Sequence, residues 1–534
     1  MVKELKLNFF KKFFHAGCFV RINDEEKIML SKTISLGLHG ISAGRVDIEV
    51  DIMRGLPGFT IVGLPDSVIR ESRERIRAAI ENSGYEFPPK NYIVNLAPAG
   101  FKKQGANFDL PVAMSILKST QQIFCDIGTI PMVGELSLDG RVKPVRGVIS
   151  MVIALYRLGF RQIIVPYHNR IEASAVDGID IFPVENILMA IDVFQGNASP
   201  FERGELPGRV QEYLHDFSDV RGQENAKRGL EIAAAGMHNI LLYGAPGSGK
   251  TMLARRMPSI MPGLSKEQAI ETTMIHSAAG ILQDNGMLVD LPPFRAPHHT
   301  ASEVALVGGG TNPGAGEVSL AHNGVLFLDE IVEFRNNVIQ ALRQPLEDRE
   351  VTVARAAGTV TFPADFMLVA AGNPCQCGYL FDEEITCTCS QQKISQYFQK
   401  IAGPVIDRID MELLVNRVAY RDLVDNVQSE SSASIRDRVM RACEIQRARF
   451  RDAPVRFNSR MSNREIRKYC RLDPGDEQFL ESAVKKMNIT ARSFFKILKV
   501  ARTIADLDSS EKIEKKHLLE AISYKNLNRN YKML

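Results

Sequence analysis

Two short stretches of this chain carry residue types at spacings suited to phosphate chemistry. The first is Gly244-Ala245-Pro246-Gly247-Ser248-Gly249-Lys250-Thr251. Its spacing, G-x-x-x-x-G-K-[ST], is that of a phosphate-binding loop in nucleoside triphosphatases. The glycines let the backbone turn its N–H groups onto phosphate oxygens, and a helix start directly behind the loop adds positive potential. Lys250 would reach the β- and γ-phosphates, and the Thr251 hydroxyl would hold Mg2+. A chance glycine-rich turn is the bland alternative, but the flanks argue against it. Asn239-Ile-Leu-Leu-Tyr243 suits a buried strand, and Met252-Leu-Ala-Arg-Arg256 suits a helix. The second stretch, Val325-Leu-Phe-Leu-Asp-Glu330, is four apolar residues ending in two carboxylates. That suits a fully buried parallel strand, and the reacting groups of open α/β sheets collect at such strand ends. Asp329 would hold Mg2+ directly or through water, and Glu330 would orient and polarise the attacking water.

Other residue clusters are less specific. Four of the eight cysteines crowd together as Cys375-x-Cys377 and Cys387-x-Cys389. Two close thiolate pairs suit tetrahedral Zn2+, which would pin the loop. The C-x-C spacing is tighter than the common C-x2-C, and free reduced thiols are the other reading. His298 and His299 are adjacent, and adjacent side chains usually point apart, which argues against a shared metal. Gly308-Gly-Gly-Thr-Asn-Pro-Gly-Ala-Gly316 lacks the Gly-Lys-Ser/Thr continuation of a second nucleotide loop and reads as a mobile loop.

The elements that must position these groups span 534 residues, too many for one core, so about three domains are expected. The composition, 45% hydrophobic and 24% charged, is globular. A net charge of +3 sets up no global field for a polyanion. The distribution is uneven, however. Residues 435–534 hold 24 Lys/Arg against 13 Asp/Glu, a net of +11, which leaves −8 on residues 1–434. Such a basic segment suits nucleic acid, or is simply a solvated helix face. The cysteine pattern is not a secreted disulfide framework, so a reducing cytoplasm is expected. No run of eighteen apolar residues exists, so neither a membrane span nor a membrane partner is expected. The stretch from Lys11 to Cys18 faintly imitates a lipoprotein signal, but its apolar part is too short. Residues 1–28 therefore read as a loose extension or a misread start.

Strand-like and helix-like patterns alternate from residue 29 to 195. Val46-Asp-Ile-Glu-Val-Asp-Ile52 has the period of a half-buried strand, and Asp66 is placed as a helix N-cap. A polar linker follows at 196–215. Glu350 to Phe362 alternates about a short loop with Arg355 and Gly358, which predicts a hairpin. Phe366-Met-Leu-Val-Ala-Ala371 is another buried strand, and it ends at Gly372-Asn373-Pro374. From Ile435 onward the chain is helical and basic.

Part of the N-terminal region resembles Lon-type proteases. Gly134-Glu-Leu-Ser-Leu-Asp-Gly-Arg-Val-Lys-Pro-Val-Arg-Gly-Val148 is similar to the segment leading to their catalytic lysine. Lys103-Gln-Gly-Ala-Asn-Phe108 is similar to the turn that carries their serine. Here the serine position is Asn107 and the lysine position is Ile149. A dyad needs a hydroxyl and a proton-accepting amine, so the resemblance implies the fold without the peptidase chemistry.

Gly55-Leu-Pro-Gly-Phe-Thr-Ile-Val-Gly-Leu-Pro65, Phe294-Arg-Ala-Pro-His-His299 and Gly403-Pro-Val-Ile-Asp-Arg-Ile-Asp410 resemble the signatures of the ComM/YifB family. These are bacterial competence-related AAA+ ATPases, also called magnesium-chelatase-like proteins, and the likeness runs from Met29 to about Arg529. It implies an α/β fold class. Residues 29–195 would be a Lon-protease-like α+β domain without its dyad. Residues 216–415 would be a AAA+ P-loop core, three-layered α/β/α and of the helix-2-insert type, with an insert at 258–323 and the cysteine loop at 374–390. Residues 435–534 would be a helical lid. The resemblance also assigns roles. Asn373 would position water near the γ-phosphate, Arg408 would act as an arginine finger in a neighbouring subunit's site, and Arg492 would be the second sensor arginine. The stretch from Phe217 to Gln223 would line the adenine pocket. The implied cofactors are ATP and Mg2+. The implied partners are further copies, in a hexameric ring, and branched or single-stranded DNA gripped by the insert loops and the hairpin. The implied activity is ATP-driven branch migration during natural transformation. Protein remodelling and chelatase-like metal insertion are the alternatives on the same fold.

Overall fold

Alternating residues decide the two larger sheets among the described residues, one of four strands and one of five. The computed structural model describes residues 30–202, 213–282, 287–310, 314–355, 358–382, 384–401, 406–418, 429–453, 455–487 and 489–525. The extension 1–28, part of the linker at 203–212 and residues 402–405 lie outside the described residues, as do 311–313 of the glycine cluster.

In the N-terminal domain Ser31–His39 and Ser42–Met53 pair antiparallel along their whole length. Asn91–Ala97 pairs antiparallel with the second of these and parallel with Gly58–Val62. The predicted alternation holds: Val46, Ile48 and Val50 point into the core. They meet Ile76 and Ile80 of helix Ser72–Asn82 and Leu110, Met114 and Leu117 of helix Asp109–Ser119. Asp66 caps helix Ser67–Arg70, its Oδ1 accepting the Ile69 N–H at 2.9 Å. A second, parallel strand pair, Gln162–Pro166 with Asp180–Val184, packs with helix Val148–Arg157 in a smaller core.

The residues at the two Lon dyad positions are both buried. Asn107 donates through Nδ2 to Leu36 O at 2.6 Å, and the Ile149 N–H donates to Glu172 Oε1 at 3.0 Å. Both are fixed as structural parts, and neither side chain offers a nucleophile or a base.

The second domain is built on five parallel strands in the order Phe294–Arg295, Val325–Leu328, Met367–Gly372, Ile240–Tyr243, Met411–Leu414. The central strands are apolar at every position because both of their faces are covered. Ile240, Leu242, Val325, Phe327, Met367 and Val369 enter one core. Their neighbours Leu241, Tyr243, Leu326, Leu328, Leu368 and Ala370 enter the other. This is the three-layer α/β/α arrangement. The first core continues without a break into the C-terminal helices, where helix Ala491–Leu507 packs against helix Glu224–Gly236.

Segment 258–323 contributes a strand to this sheet as well as helix Lys266–Ala279 and helix Glu303–Val307. Within the glycine cluster, read above as a mobile loop, Gly308–Gly309 pairs antiparallel with Gly314–Ala315. The predicted hairpin forms between Glu350–Arg355 and Gly358–Pro363. Its Val360 sits against the first turn of the N-terminal domain, where a Cβ on Gly40 would lie 2.3 Å from Val360 Cγ1.

The two domains also meet at helix Lys266–Ala279. Ser277 Oγ accepts the Gly147 N–H at 2.8 Å and donates to the Glu172 carboxylate. Asn169 Nδ2 donates to the same carboxylate at 3.0 Å. Burial raises the Glu172 pKa above the usual carboxylate value, and the bonds from Ser277, Ile149 and Asn169 oppose that rise. Removing one donor leaves a buried acceptor short of partners. Ser277→Ala is therefore expected to lower stability by about 1–3 kcal/mol, read as a lower urea midpoint. An unchanged midpoint would show that this contact contributes nothing to docking.

A candidate nucleotide-hydrolysis site

The phosphate loop leaves strand Ile240–Tyr243 at its carboxyl end and enters helix Lys250–Arg255. Gly244 is required by close approach, since a Cβ there would lie 2.1 Å from Val415 O. Gly247 and Gly249 are required by conformation, at φ +79° and +93°. Lys250 is buried and curls back over the loop. Its Nζ donates to Gly244 O and Ala245 O, each at 2.9 Å, and to Asn373 Oδ1 at 3.3 Å. Burial lowers its pKa, while the Asp329 and Glu330 carboxylates act the other way. All three of its hydrogen-bond partners are neutral, so a phosphate oxygen would give it a stronger, charge-assisted bond. Ser248 Oγ is buried with no protein partner among the described residues. The donors of the loop therefore fit a polyphosphate.

The parallel register brings the remaining groups to the loop. Gly372 pairs with Tyr243, so Asn373 stands level with Gly244 one strand away. Leu328 pairs with Ala370, which puts Asp329 at the end of the next strand. Thr251 Oγ1 donates to Asp329 Oδ2 at 2.6 Å. A hydroxyl and a carboxylate oxygen side by side are hard donors of the kind Mg2+ takes, so Thr251 and Asp329 fit the metal.

Glu330 has φ +50°, unusual for a residue with a side chain. Its side chain is 61% exposed, with Oε2 3.7 Å from His299 Nδ1. The His299 ring lies 4.1 Å from that of His298 and meets the edge of Phe334. Sequence reasoning weighed His299 only as a metal ligand and missed this neighbour. The available signal was its place just after Phe294–Arg295, but a two-residue strand has no periodicity to read. Gln223 was expected, as the end of the stretch from Phe217, to line the adenine pocket. Its Nε2 donates to Ser248 O at 3.2 Å and Asn416 O at 2.5 Å, which ties the stretch from Phe217 to the loop. Phe217 itself is in the core.

Arg408 and Arg492 are not brought to this site. Arg408 lies just before strand Met411–Leu414, and its carbonyl accepts from Asn239 Nδ2 at 3.2 Å. Asn239 opens the phosphate-loop strand at the end opposite the loop. Arg408 is buried, and its Nη2 contacts Glu347 Oε1 at 2.5 Å. Arg492 Nη2 contacts the same oxygen at 2.8 Å. The two arginines thus share one carboxylate at the amino edge of the sheet. Glu347 has no sequence signature and went unnoticed. The pair holds the Glu347 pKa below its usual value, although burial pushes it up. The four loop cysteines stand directly after Asn373-Pro374, with all four sulfurs within 4.8 Å of one another.

The arrangement is that of a magnesium-dependent nucleoside triphosphatase, and comparison with known proteins agrees. Residues 216–423 match the family described as "Magnesium chelatase, subunit ChlI", residues 48–169 "Subunit ChlI of Mg-chelatase", and residues 429–525 "Magnesium chelatase, subunit ChlI C-terminal". The chain is 41% identical to the YifB protein of Escherichia coli (strain K12) over 493 residues, covering 92% of this chain and 96% of the relative. It is 39% identical to "Competence protein ComM" of Haemophilus influenzae over 495 residues, covering 91% and 95%. "Lon protease 2" of Bacillus subtilis is 30% identical over 174 residues, 29% of this chain and 31% of that one. Among the described residues no helix is long and apolar enough to cross a membrane.

Lys250→Ala is expected to abolish nucleotide binding in an equilibrium assay with a fluorescent ATP analogue. Glu330→Gln should bind that analogue with an unchanged Kd while ATP turnover falls about 10²–10⁴-fold, the usual worth of a positioned base. Normal turnover in Glu330→Gln would remove Glu330 from the chemistry.

Proposed function

Because the chain belongs to the ComM/YifB family of magnesium-chelatase-like AAA+ proteins, we propose that it is an ATP-driven homohexameric ring motor acting on DNA. Its work would be branch migration, extending heteroduplex while incoming DNA recombines during natural transformation. The observation that carries this reading is the split between two clusters. Lys250, Thr251, Asp329, Glu330 and Asn373 gather at the carboxyl edge of the parallel sheet. Arg408 and Arg492 sit together at the amino edge on Glu347. The loop strand between the edges has four residues, about 13 Å at about 3.3 Å per residue. Arginines so placed do not serve their own loop, but in a ring they face the next copy.

The residues divide the work as follows. The loop amides and Lys250 hold the β- and γ-phosphates, and Thr251 and Asp329 would hold Mg2+. The metal, when bound, neutralises charge on the phosphate oxygens. Glu330 orients the attacking water and takes its proton, with His299 beside it. Asn373 positions that water against the γ-phosphate. Arg408 from the neighbouring copy, freed from Glu347, neutralises charge that develops on the transferred group. Arg492 moves with it, because both share the same carboxylate.

DNA as the partner is supported by the competence designation of the Haemophilus relative. The net +11 of residues 435–534 is consistent with it. The hairpin and the insert segment, with Arg355 near the hairpin turn, are the elements we assign to the grip on phosphates.

Two measurements test the proposal. ATPase rate against forked, Holliday-type, single-stranded and duplex DNA should rise with the branched or single-stranded forms, and the stimulation should fade as salt rises. Indifference to every DNA, or turnover requiring a porphyrin and partner subunits, would overturn it. Arg408→Ala should keep ATP binding but lose about 10³-fold or more in kcat. Mixing it with Lys250→Ala should restore part of the activity, since each variant supplies what the other lacks. No rescue on mixing would place the arginine outside the neighbour's site.

A further inference from the structure

The cysteine loop is the largest cluster of metal-ligating side chains not used above. It leaves strand Met367–Gly372 through Asn373-Pro374 and ends where helix Gln391–Ile401 begins. The Sγ atoms of Cys375, Cys377 and Cys387 are separated by 3.3, 3.7 and 3.5 Å, and that of Cys389 completes a group within 4.8 Å. All four are free thiols. One Zn2+ with four sulfurs at about 2.3 Å in a tetrahedron sets those sulfurs about 3.8 Å apart. Three of the separations therefore fall near the edge of that tetrahedron, whereas a cluster of several irons would spread its ligands further.

The backbone is arranged for anionic sulfur as well. The Cys389 N–H donates to Cys387 Sγ at 3.4 Å. Amide donors of this kind favour the thiolate that a metal requires. Two C-x-C turns thus present four sulfurs to one point, with a backbone donor already directed at that of Cys387.

The place of the cluster gives it a consequence. Gly378 lies within the loop at φ +89°, and a Cβ on it would meet Pro246 Cδ at 2.6 Å and Asn373 Cγ at 3.9 Å. The loop is therefore pressed against the phosphate loop on one side and the water-positioning asparagine on the other. Phe381, further along, meets Tyr243 of the phosphate-loop strand edge-on at 6.0 Å. Arg417 Nε binds Asp382 Oδ2 at 2.9 Å, which ties the loop to the chain beyond strand Met411–Leu414.

We propose that Cys375, Cys377, Cys387 and Cys389 bind one Zn2+ as a tetrathiolate centre that holds this loop against Pro246 and fixes Asn373 for catalysis. The metal site stands on the sulfur geometry. Its effect on Asn373, a residue that the loop positions, rests on the hydrolysis site proposed above. Gly244 O and Ala245 O, which hold Lys250, lie outside this loop, so loss of the metal is expected to act through Asn373.

The test uses the full-length protein, purified without a metal-affinity tag. Elemental analysis is expected to give about one zinc per chain. Protein exchanged with Co2+ should develop the thiolate-to-metal charge-transfer and d–d absorption of a tetrahedral sulfur site. Cys377→Ser/Cys389→Ser should lose the zinc. Mercurial treatment with a chelator should release it, and Zn2+ should restore it. Loss of zinc should lower kcat for ATP about 10-fold or more while the Kd for a fluorescent ATP analogue stays within about 3-fold, as expected when orientation alone is lost. Asn373→Ala should give the same kcat loss with the zinc retained, which separates positioning from unfolding of the loop. Zinc-free protein from zinc-supplemented cells, or iron in place of zinc, would overturn the site. Zinc whose removal leaves kcat unchanged, or abolishes nucleotide binding along with kcat, would overturn the positioning role and leave the hydrolysis site itself untouched.

Discussion

Parallel pairing is the constraint on which the rest of this structure depends. Strands Ile240–Tyr243, Val325–Leu328 and Met367–Gly372 run the same way in fixed register, so their carboxyl ends share one edge. Neighbouring strands lie about 4.8 Å apart. Whatever residue follows each strand is therefore delivered within side-chain reach of the others. That is how Gly244, Asp329 and Asn373, far apart in the chain, come to surround Lys250 and Thr251. The same pairing forces whatever precedes the strands to the other edge, where Arg408 and Asn239 are found. One sheet thus separates the phosphate cradle from the guanidinium groups.

Electrostatics at each edge reflects this separation. Lys250 is buried with three neutral hydrogen-bond partners, a state that burial disfavours for an ammonium. Arg408 and Arg492 share a single carboxylate, so Glu347 faces two positive charges where one would satisfy it.

The N-terminal domain has a different logic. In its Lon-like fold the two positions that correspond to the dyad carry structural bonds. Asn107 is fixed to Leu36, and the backbone of Ile149 is fixed to Glu172. Glu172 in turn reaches Ser277 of the nucleotide-binding domain. A carboxylate beside Ile149 is thus part of the joint between domains, and the Gly40 turn resting on Val360 is a second joint. Motion of the hairpin or of helix Lys266–Ala279 would thereby reach the N-terminal domain through packed contacts.

The sequence alone determined the local devices. The glycine spacing of the phosphate loop, the carboxylate pair after Val325-Leu-Phe-Leu328 and the Asp66 cap are short-range features, set by backbone conformation within a few residues. The paired runs of the Glu350–Pro363 hairpin are equally local. Continuous apolar runs likewise announced buried parallel strands, and the absence of a hydroxyl at Asn107 and of an amine at Ile149 needed no coordinates. Only the tertiary structure decided which of these devices meet. The sharing of Glu347 by Arg408 and Arg492, the approach of His299 to Glu330, and the seating of the cysteine loop on Pro246 join residues with no common period. The strand at Phe294–Arg295 was hidden for the same reason, being too short to show alternation. Sequence pattern records how a segment folds against its own neighbours. Strand order and register decide which distant segments share an edge, and those are settled by the packing of the whole sheet.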